Sequence, residues 1–454
     1  MKRKEFLKMT AGLAGGVAGL PLMRKLAGAA IAEPGLPGAA GVASTASRAV
    51  AGSSPFETLL AQAATAGDDE HFWRLVRGQF LLDPGWIYLN FGGLGACPLP
   101  VLNSLVEWNQ AEERAPSAGY NDKHWWEVKD KLARALGVNC HKEDLGLIGG
   151  ATEGVNVIVN GLPLKKGDEV ITTTHEHVAV HSALLNRMQR DGIVIRLFEP
   201  DIVSGPGNVE RIARLITPRT RLIFISHVTC TTGQLVPAKE IAALARSKGI
   251  WFALDGAQAP ICVPFDIAET GADFYTCSTH KWMMGPKRTG FIYVRPGMLD
   301  SLRPQTVGGG SSERYDVAKG EFVLQPTAKR YESGTQNDAL FYALGAACDF
   351  VETIGADRIS RHNRLLAERF YHGLGEIPGV ERLSPQEEIY RTPMIGFRMK
   401  THAYTEINGH LAKEKIRARP VGEGGLNSIR VSFHINNHDG DVTAILDSLK
   451  KLAG

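Results

Sequence analysis

The sequence predicts an α/β fold: a large domain with a mostly parallel sheet covered by helices, followed by a smaller α+β C-terminal domain. Three observations lead there. Between about residues 100 and 300, short apolar runs alternate with helix-length stretches of mixed character. Those runs are apolar at consecutive positions rather than alternate ones, as strands buried on both faces are. Past about residue 325 the alternation stops and longer helical patterns take over. The chain has 454 residues, 44% of them hydrophobic, which is enough for more than one buried core. The net charge is +3 and no basic run carries interleaved aromatics, so nucleic acid is not expected as a partner.

The N-terminal segment differs from the rest. Lys2-Arg3-Lys4 is followed by Phe6-Leu7-Lys8, a weakly apolar run to Leu22, and a small-x-small site at Ala30-Ile31-Ala32. These are the three parts of an export signal. The order Lys-Arg-x-x-Phe-Leu-Lys is similar to a twin-arginine signal with lysine as its first basic residue, and Arg24-Lys25 near the cleavage site suits the same route. Residues 1–32 are therefore expected to engage the export machinery and deliver the protein to the periplasm. The apolar run is too short to span a bilayer, so no stable membrane association is expected. Residues 33–68 are rich in Ala, Gly, Ser and Pro and read as a linker.

Strands are expected at 169–173, 193–198, 221–226, 250–254, 274–277 and 290–294, with helices such as 178–190 and 238–248 between them. This assigns 69–325 to the large domain and 326–454 to the small one. The latter contains helical patterns at 339–354, 360–374 and 441–452, and strands at 394–399 and 429–433. The six cysteines form no C-x-x-C pair and read as buried thiols.

In parallel sheets of this kind, ligands bind at the carboxyl ends of the strands. Two residues with matching chemistry lie there. Asp255 ends the run Trp251-Phe252-Ala253-Leu254, and Lys281 follows 274–277 in Ser278-Thr279-His280-Lys281-Trp282. A lysine that condenses with an aldehyde, and an acid that pairs with a ring nitrogen, suit pyridoxal 5'-phosphate (PLP) chemistry. Gln258, one turn beyond Asp255, can donate to the cofactor's phenolic oxygen. Gly149-Gly150-Ala151-Thr152-Glu153 opens a helical run, where backbone N–H groups bind phosphate. His175, His177 and His181 lack the companions of a metal site, and an imidazole packed on an aromatic cofactor is the better reading of His177. Arg430 sits in the apolar strand Ser428-Ile429-Arg430-Val431-Ser432 and needs a partner: a structural carboxylate or a substrate's.

Taken together, these residues resemble the class V aminotransferase family of PLP enzymes, fold type I, over about residues 70 to 454. Ser278-x-His280-Lys281 matches the lysine motif, Gly150-Ala151-Thr152-Glu153 and Glu176-His177 the phosphate and ring-stacking segments, and Asp255-x-x-Gln258 the ring-nitrogen motif. Ser333-Gly334-Thr335 matches a segment that lends a phosphate contact across a homodimer, so Thr335 is expected to serve the partner subunit. Arg430, with Ser432 and Asn436-Asn437, matches the carboxylate-binding end. The run from Tyr88 to Pro98, with Asn90 as a substrate contact, looks most like the opening of isopenicillin N epimerase-like members, and residues 69–100 are expected to contact the small domain. The resemblance implies Lys281, Asp255 and His177 as catalytic residues. It implies Ala151, Thr152, His177, Asp255, Gln258, Ser278, His280, Lys281 and Thr335 around the cofactor. The substrate class implied is an amino acid or peptide-derived metabolite; exported members include enzymes that tailor the siderophore pyoverdine. Residues 417–429 contain no cysteine, so the nucleophile of a desulfurase is missing there. A C–S or C–N lyase and a non-catalytic scaffold remain the alternatives. Arg288 stands where members often have a small residue, either at the site mouth or solvated.

Overall fold

The computed structural model describes residues 61, 69–116, 122–264 and 266–454. The expected export signal (1–32) and all of the expected linker but Ala61 lie outside the described residues. In chain order the first elements are α1 (Asp69–Arg77), β1 (Ile87–Tyr88), α2 (Leu99–Arg114), α3 (Asp122–Leu136), β2 (Leu145–Ile148), α4 (Ala151–Gly161), β3 (Glu169–Thr173) and α5 (Val178–Asp191). Next come β4 (Val194–Phe198), α6 (Gly205–Leu215), β5 (Thr220–Ser226), α7 (Ala238–Ser247), β6 (Trp251–Asp255), β7 (Phe274–Ser278), β8 (Gly290–Val294), and the hairpin β9 (Ser312–Asp316) and β10 (Glu321–Leu324). The remainder is α8 (Asp338–Ile354), α9 (Ala356–Leu374), β11 (Val380–Arg382), β12 (Met394–Met399), α10 (Tyr404–Lys413), β13 (Ile416–Arg417), β14 (Arg419–Val421), β15 (Ser428–Ser432) and α11 (Asp439–Ala453).

The main sheet has seven strands in the order β2-β8-β7-β6-β5-β3-β4. From β4 to β7 every pairing is parallel, while β8 runs antiparallel to β7 and β2. The six expected strands all form, and none of their ends moves by more than one residue. Helices α4 and α5 bury Val155, Ile158, Val159, Val180 and Leu184 against Leu222, Phe224, Ala253 and Phe274 of the sheet. Each such side chain stabilises the layer by roughly 1.5–3 kcal/mol.

A second, four-stranded sheet has the order β11-β12-β15-β14 and shares a core with α9, α10 and α11. Residues 87–90 join this part of the protein. β1 pairs in parallel with β13, and Asn90 bridges to Ser432. α8, which the sequence groups with the C-terminal domain, packs instead against α2 and α3. Its buried residues lie all around it, including Phe341, Tyr342, Leu344, Cys348 and Val351, as a helix enclosed by neighbours requires. Among the described residues no single helix is long and apolar enough to cross a membrane. All six cysteines are free and buried.

Two buried carboxylates lend themselves to stability tests. Glu332 accepts from Lys129 Nζ at 3.0 Å, Trp125 Nε1 at 2.7 Å and the Leu147 N–H at 2.9 Å. Lys129 is fully buried, which pulls its pKa below that of an ordinary lysine against the opposing pull of Glu332. Glu332→Ala leaves that ammonium enclosed without a counter-ion, and urea unfolding is expected to show a loss of about 3–5 kcal/mol. Glu176, in the turn after β3, accepts from Thr173 Oγ1 and Ser226 Oγ. Burial, reinforced by Asp255, raises its pKa from 4.5 to about 7. The folded protein thus keeps a proton that the unfolded chain loses earlier. The stability this group contributes is complete below pH 4.5 and is lost as pH climbs through about 7. Unfolding of Glu176→Gln across that range should show its stability relative to the parent rising with pH, by about 3 kcal/mol overall.

Candidate active site

β6 and β7 are parallel neighbours, with Asp255 opposite Thr276, so both strands present their carboxyl ends at one edge. Asp255 is buried there and accepts the Ala257 N–H at 2.9 Å through Oδ1. Its second oxygen has no hydrogen-bond donor among the described residues. Lys281 lies three residues past β7, in the connection that reverses the chain into β8. It is half-buried, and its amine makes no hydrogen bond to the described residues. Burial lowers the pKa of Lys281, with Asp255 pulling the other way.

The start of α4 closes one side of this edge. Gly150 takes φ 140°, a conformation that disfavours any residue with a side chain, and the Ala151 N–H donates to Ser278 Oγ at 2.8 Å. A Cβ at Gly150 would lie 3.2 Å from that hydroxyl. Thr152 is exposed on the first turn of α4. Arg288 has φ 70° and reaches the same helix start: a Cβ on Gly149 would lie 3.3 Å from its guanidinium carbon. His280 is half-buried, with Nδ1 enclosed and unpartnered, and burial followed by Lys281 and Lys287 lowers its pKa to about 4.

His177 caps α5, accepting the Ala179 N–H on Nδ1 at 3.2 Å. Its pKa is lowered by burial, then by Lys281, with Asp255 opposing, so it shares their electrostatic field. His175 points elsewhere, to Glu199 at 3.0 Å, and His181 to the Thr173 carbonyl at 2.8 Å. The three imidazoles therefore have separate partners. Among the described residues no three His, Cys, Asp or Glu side chains are grouped to hold a metal.

Gln258 is engaged at both ends of its amide. It donates to the Gly92 carbonyl at 2.7 Å and accepts from Trp282 Nε1 at 2.9 Å. The Gly95 N–H donates to the His280 carbonyl at 2.9 Å. Arg430 is fully buried; its Nη1 donates to the Cys230 carbonyl at 2.7 Å, its Nη2 to Asn90 Oδ1 at 2.8 Å, and Nε has no partner. Burial, then the neighbouring Arg419, lowers its pKa to about 9.

The structure thus gathers Lys281, Asp255, His177, Ser278, Ala151 and His280 about one sheet edge, with Gln258, Asn90 and Arg430 tied to it through the 90–95 turn. Thr335 is not among them. It is exposed, on a separate cleft of about 650 Å³ lined by Glu112, Glu332 and Asp338. Sequence reasoning passed over Trp282 as a structural partner of Gln258, the Cys230 carbonyl, and the pair Arg419–Glu423. Only the first carries a signal, an indole next to the lysine. Arg419 lies on a strand of three residues, too short to show a pattern.

The family model for class V aminotransferases matches residues 109–445. The isopenicillin N epimerase of Streptomyces clavuligerus is 28% identical over 84% of this chain and 98% of its own length. A probable cysteine desulfurase of Methanothermobacter thermautotrophicus is 26% identical over 81% of this chain and 95% of its own. Among solved structures, a mutant of C-DES with glycine covalently linked to its PLP cofactor superposes with a TM-score of 0.75 at 24% identity, covering 82% of this chain and 98% of that one, a likeness of fold. With most of its length matched by one family model, the chain belongs to the class V aminotransferase family.

Proposed function

We propose that this protein is a PLP enzyme acting at the amino-bearing carbon of an amino acid or peptide-derived metabolite, as an aminotransferase or epimerase. The observation that carries the reading is the meeting of Lys281, Asp255 and the α4 N-terminus at one sheet edge. The residues present fit the cofactor. There is an amine without a hydrogen bond, a carboxylate with an oxygen to spare, a glycine-opened helix start suited to phosphate, and buried unpartnered nitrogens on His280 and Arg430. The bound cofactor supplies an electron sink that acidifies the substrate's α-carbon.

The chain's own residues do the rest. Lys281 holds the cofactor through its amine and, once released, moves a proton at the α-carbon; burial favours the neutral amine that this needs. Asp255 would accept a hydrogen bond from the cofactor's ring nitrogen. His177 would pack on the cofactor ring, and burial lowers its pKa, which favours the neutral imidazole. Ala151, Thr152, Ser278 and His280 bind phosphate. Thr335 lies away from its own chain's site, which supports a homodimer in which it serves the partner subunit. Arg430, held by Asn90, receives the substrate carboxylate. Transfer and epimerisation share the first proton removal. The full-length likeness to isopenicillin N epimerase supports the family of reactions, and the cysteine-free stretch 417–429 weighs against a persulfide route. Residues 1–32 support tailoring work in the periplasm after export.

Lys281→Ala is expected to abolish the borohydride-sensitive yellow colour and lower turnover by about a thousandfold or more, with the fold intact by circular dichroism. Retained colour and turnover would overturn the reading. With candidate amino donors, stoichiometric keto-acid release indicates transamination, inversion without release indicates epimerisation, and thiol or ammonia release indicates a lyase.

A further inference from the structure

Arg419 and Arg430 stand opposite each other in the β14–β15 pair, so their side chains leave the sheet on the same face. They converge on one acceptor. The Cys230 carbonyl takes Nη1 of Arg430 at 2.7 Å and Nη1 of Arg419 at 3.3 Å. One peptide oxygen does not neutralise two guanidinium groups. Arg430 adds only the neutral Asn90 and keeps Nε enclosed without a partner. Arg419 has a true counter-ion, Glu423, four residues along the chain.

That counter-ion sits at the rim. Its side chain is 39% exposed against 21% for Arg419, while Arg430 is fully buried. Glu423 belongs to a turn in which Gly424, Gly425 and Asn427 take φ values of 59°, 70° and 47°. The turn lies over the histidine segment, since a Cβ on Gly424 would be 3.3 Å from His175 Cδ2. Arg419 and Glu423 both act on His177, and Arg419 acts on Arg430, so the pair borders the same site. A partly exposed ion pair is held weakly. A carboxylate already positioned by Arg430 can therefore exchange for Glu423 at little cost.

We infer that Arg419 is a second carboxylate-binding residue and Glu423 its built-in stand-in, so that the preferred substrates are amino acids, or amino-acid ends of peptides, bearing a second acid group. The inference rests on the reading that Arg430 receives the first carboxylate.

The test uses the cofactor-loaded protein and unreactive probes, glutarate against butyrate and adipate against valerate, with affinity read by thermal shift and by competition with a turned-over substrate. Wild type is expected to bind the better diacid at least about tenfold more tightly than its matched monoacid. R419Q should collapse that ratio towards one, R419K should keep most of it, and E423Q should tighten diacid binding several-fold. Equal affinities in wild type, an R419Q defect of the same factor for both acids, or weakened diacid binding in E423Q would overturn it. A protein without borohydride-sensitive colour would sink the parent reading; a coloured protein without diacid preference sinks this inference alone.

Discussion

The Gln258 amide is the contact on which the rest of the site depends. It joins three stretches far apart in sequence: the strand end carrying Asp255, the Gly92 backbone, and the indole that follows Lys281. Being buried, each hydrogen bond adds only about 1 kcal/mol, yet leaving one unmade costs about 1–3 kcal/mol. The amide therefore fixes relative position more than it adds stability. The Gly95 N–H to His280 carbonyl bond completes the clamp. Glycine at 95 is a packing requirement, because a Cβ there would lie 2.4 Å from the Lys281 carbonyl. His434 finishes the support, stacked on Phe91 at 4.5 Å and bonded to the Trp282 carbonyl at 3.1 Å.

Around this clamp the charges are arranged rather than merely close. Lys281 and Asp255 rise from neighbouring strands, and Arg430 approaches from the other sheet. The connection bearing Lys281 also holds strained backbone. Met284 and Arg288 both take positive φ, a conformation that costs a residue with a side chain of order 1 kcal/mol. Such strain persists only where packing over-determines it, and Trp282, Met283 and Met284 are all buried here.

Much of this was legible in the sequence because the signals were local. Strands buried on both faces announce themselves as apolar runs, and Asp255 at the end of β6 and Lys281 just past β7 lie where such sheets bind ligands. The antiparallel β8 and the short β2 were not legible as such: strand direction is set by the tight 279–289 connection, and four residues, Leu145–Ile148, make no pattern. The packing of α8 on α2 and α3 was equally hidden, since an apolar helix does not say which neighbour it will meet. Gln258 read as a cofactor donor on motif spacing alone. Its partners Gly92 and Trp282 lie at distances in sequence that no spacing rule covers.

The union of Asn90 with Arg430 joins positions 340 apart, and Asn437 reaches the Tyr88 carbonyl across 349. Contacts so remote in order cannot form until nearly the whole polypeptide has left the ribosome. The large sheet can be laid down during synthesis, but Arg430 arrives with β15, the last strand among the described residues. Assembly of the pocket is thus a terminal event of biogenesis. A nascent chain truncated before β15 would carry Lys281 and Asp255 but lack Arg430 and its bond to Asn90.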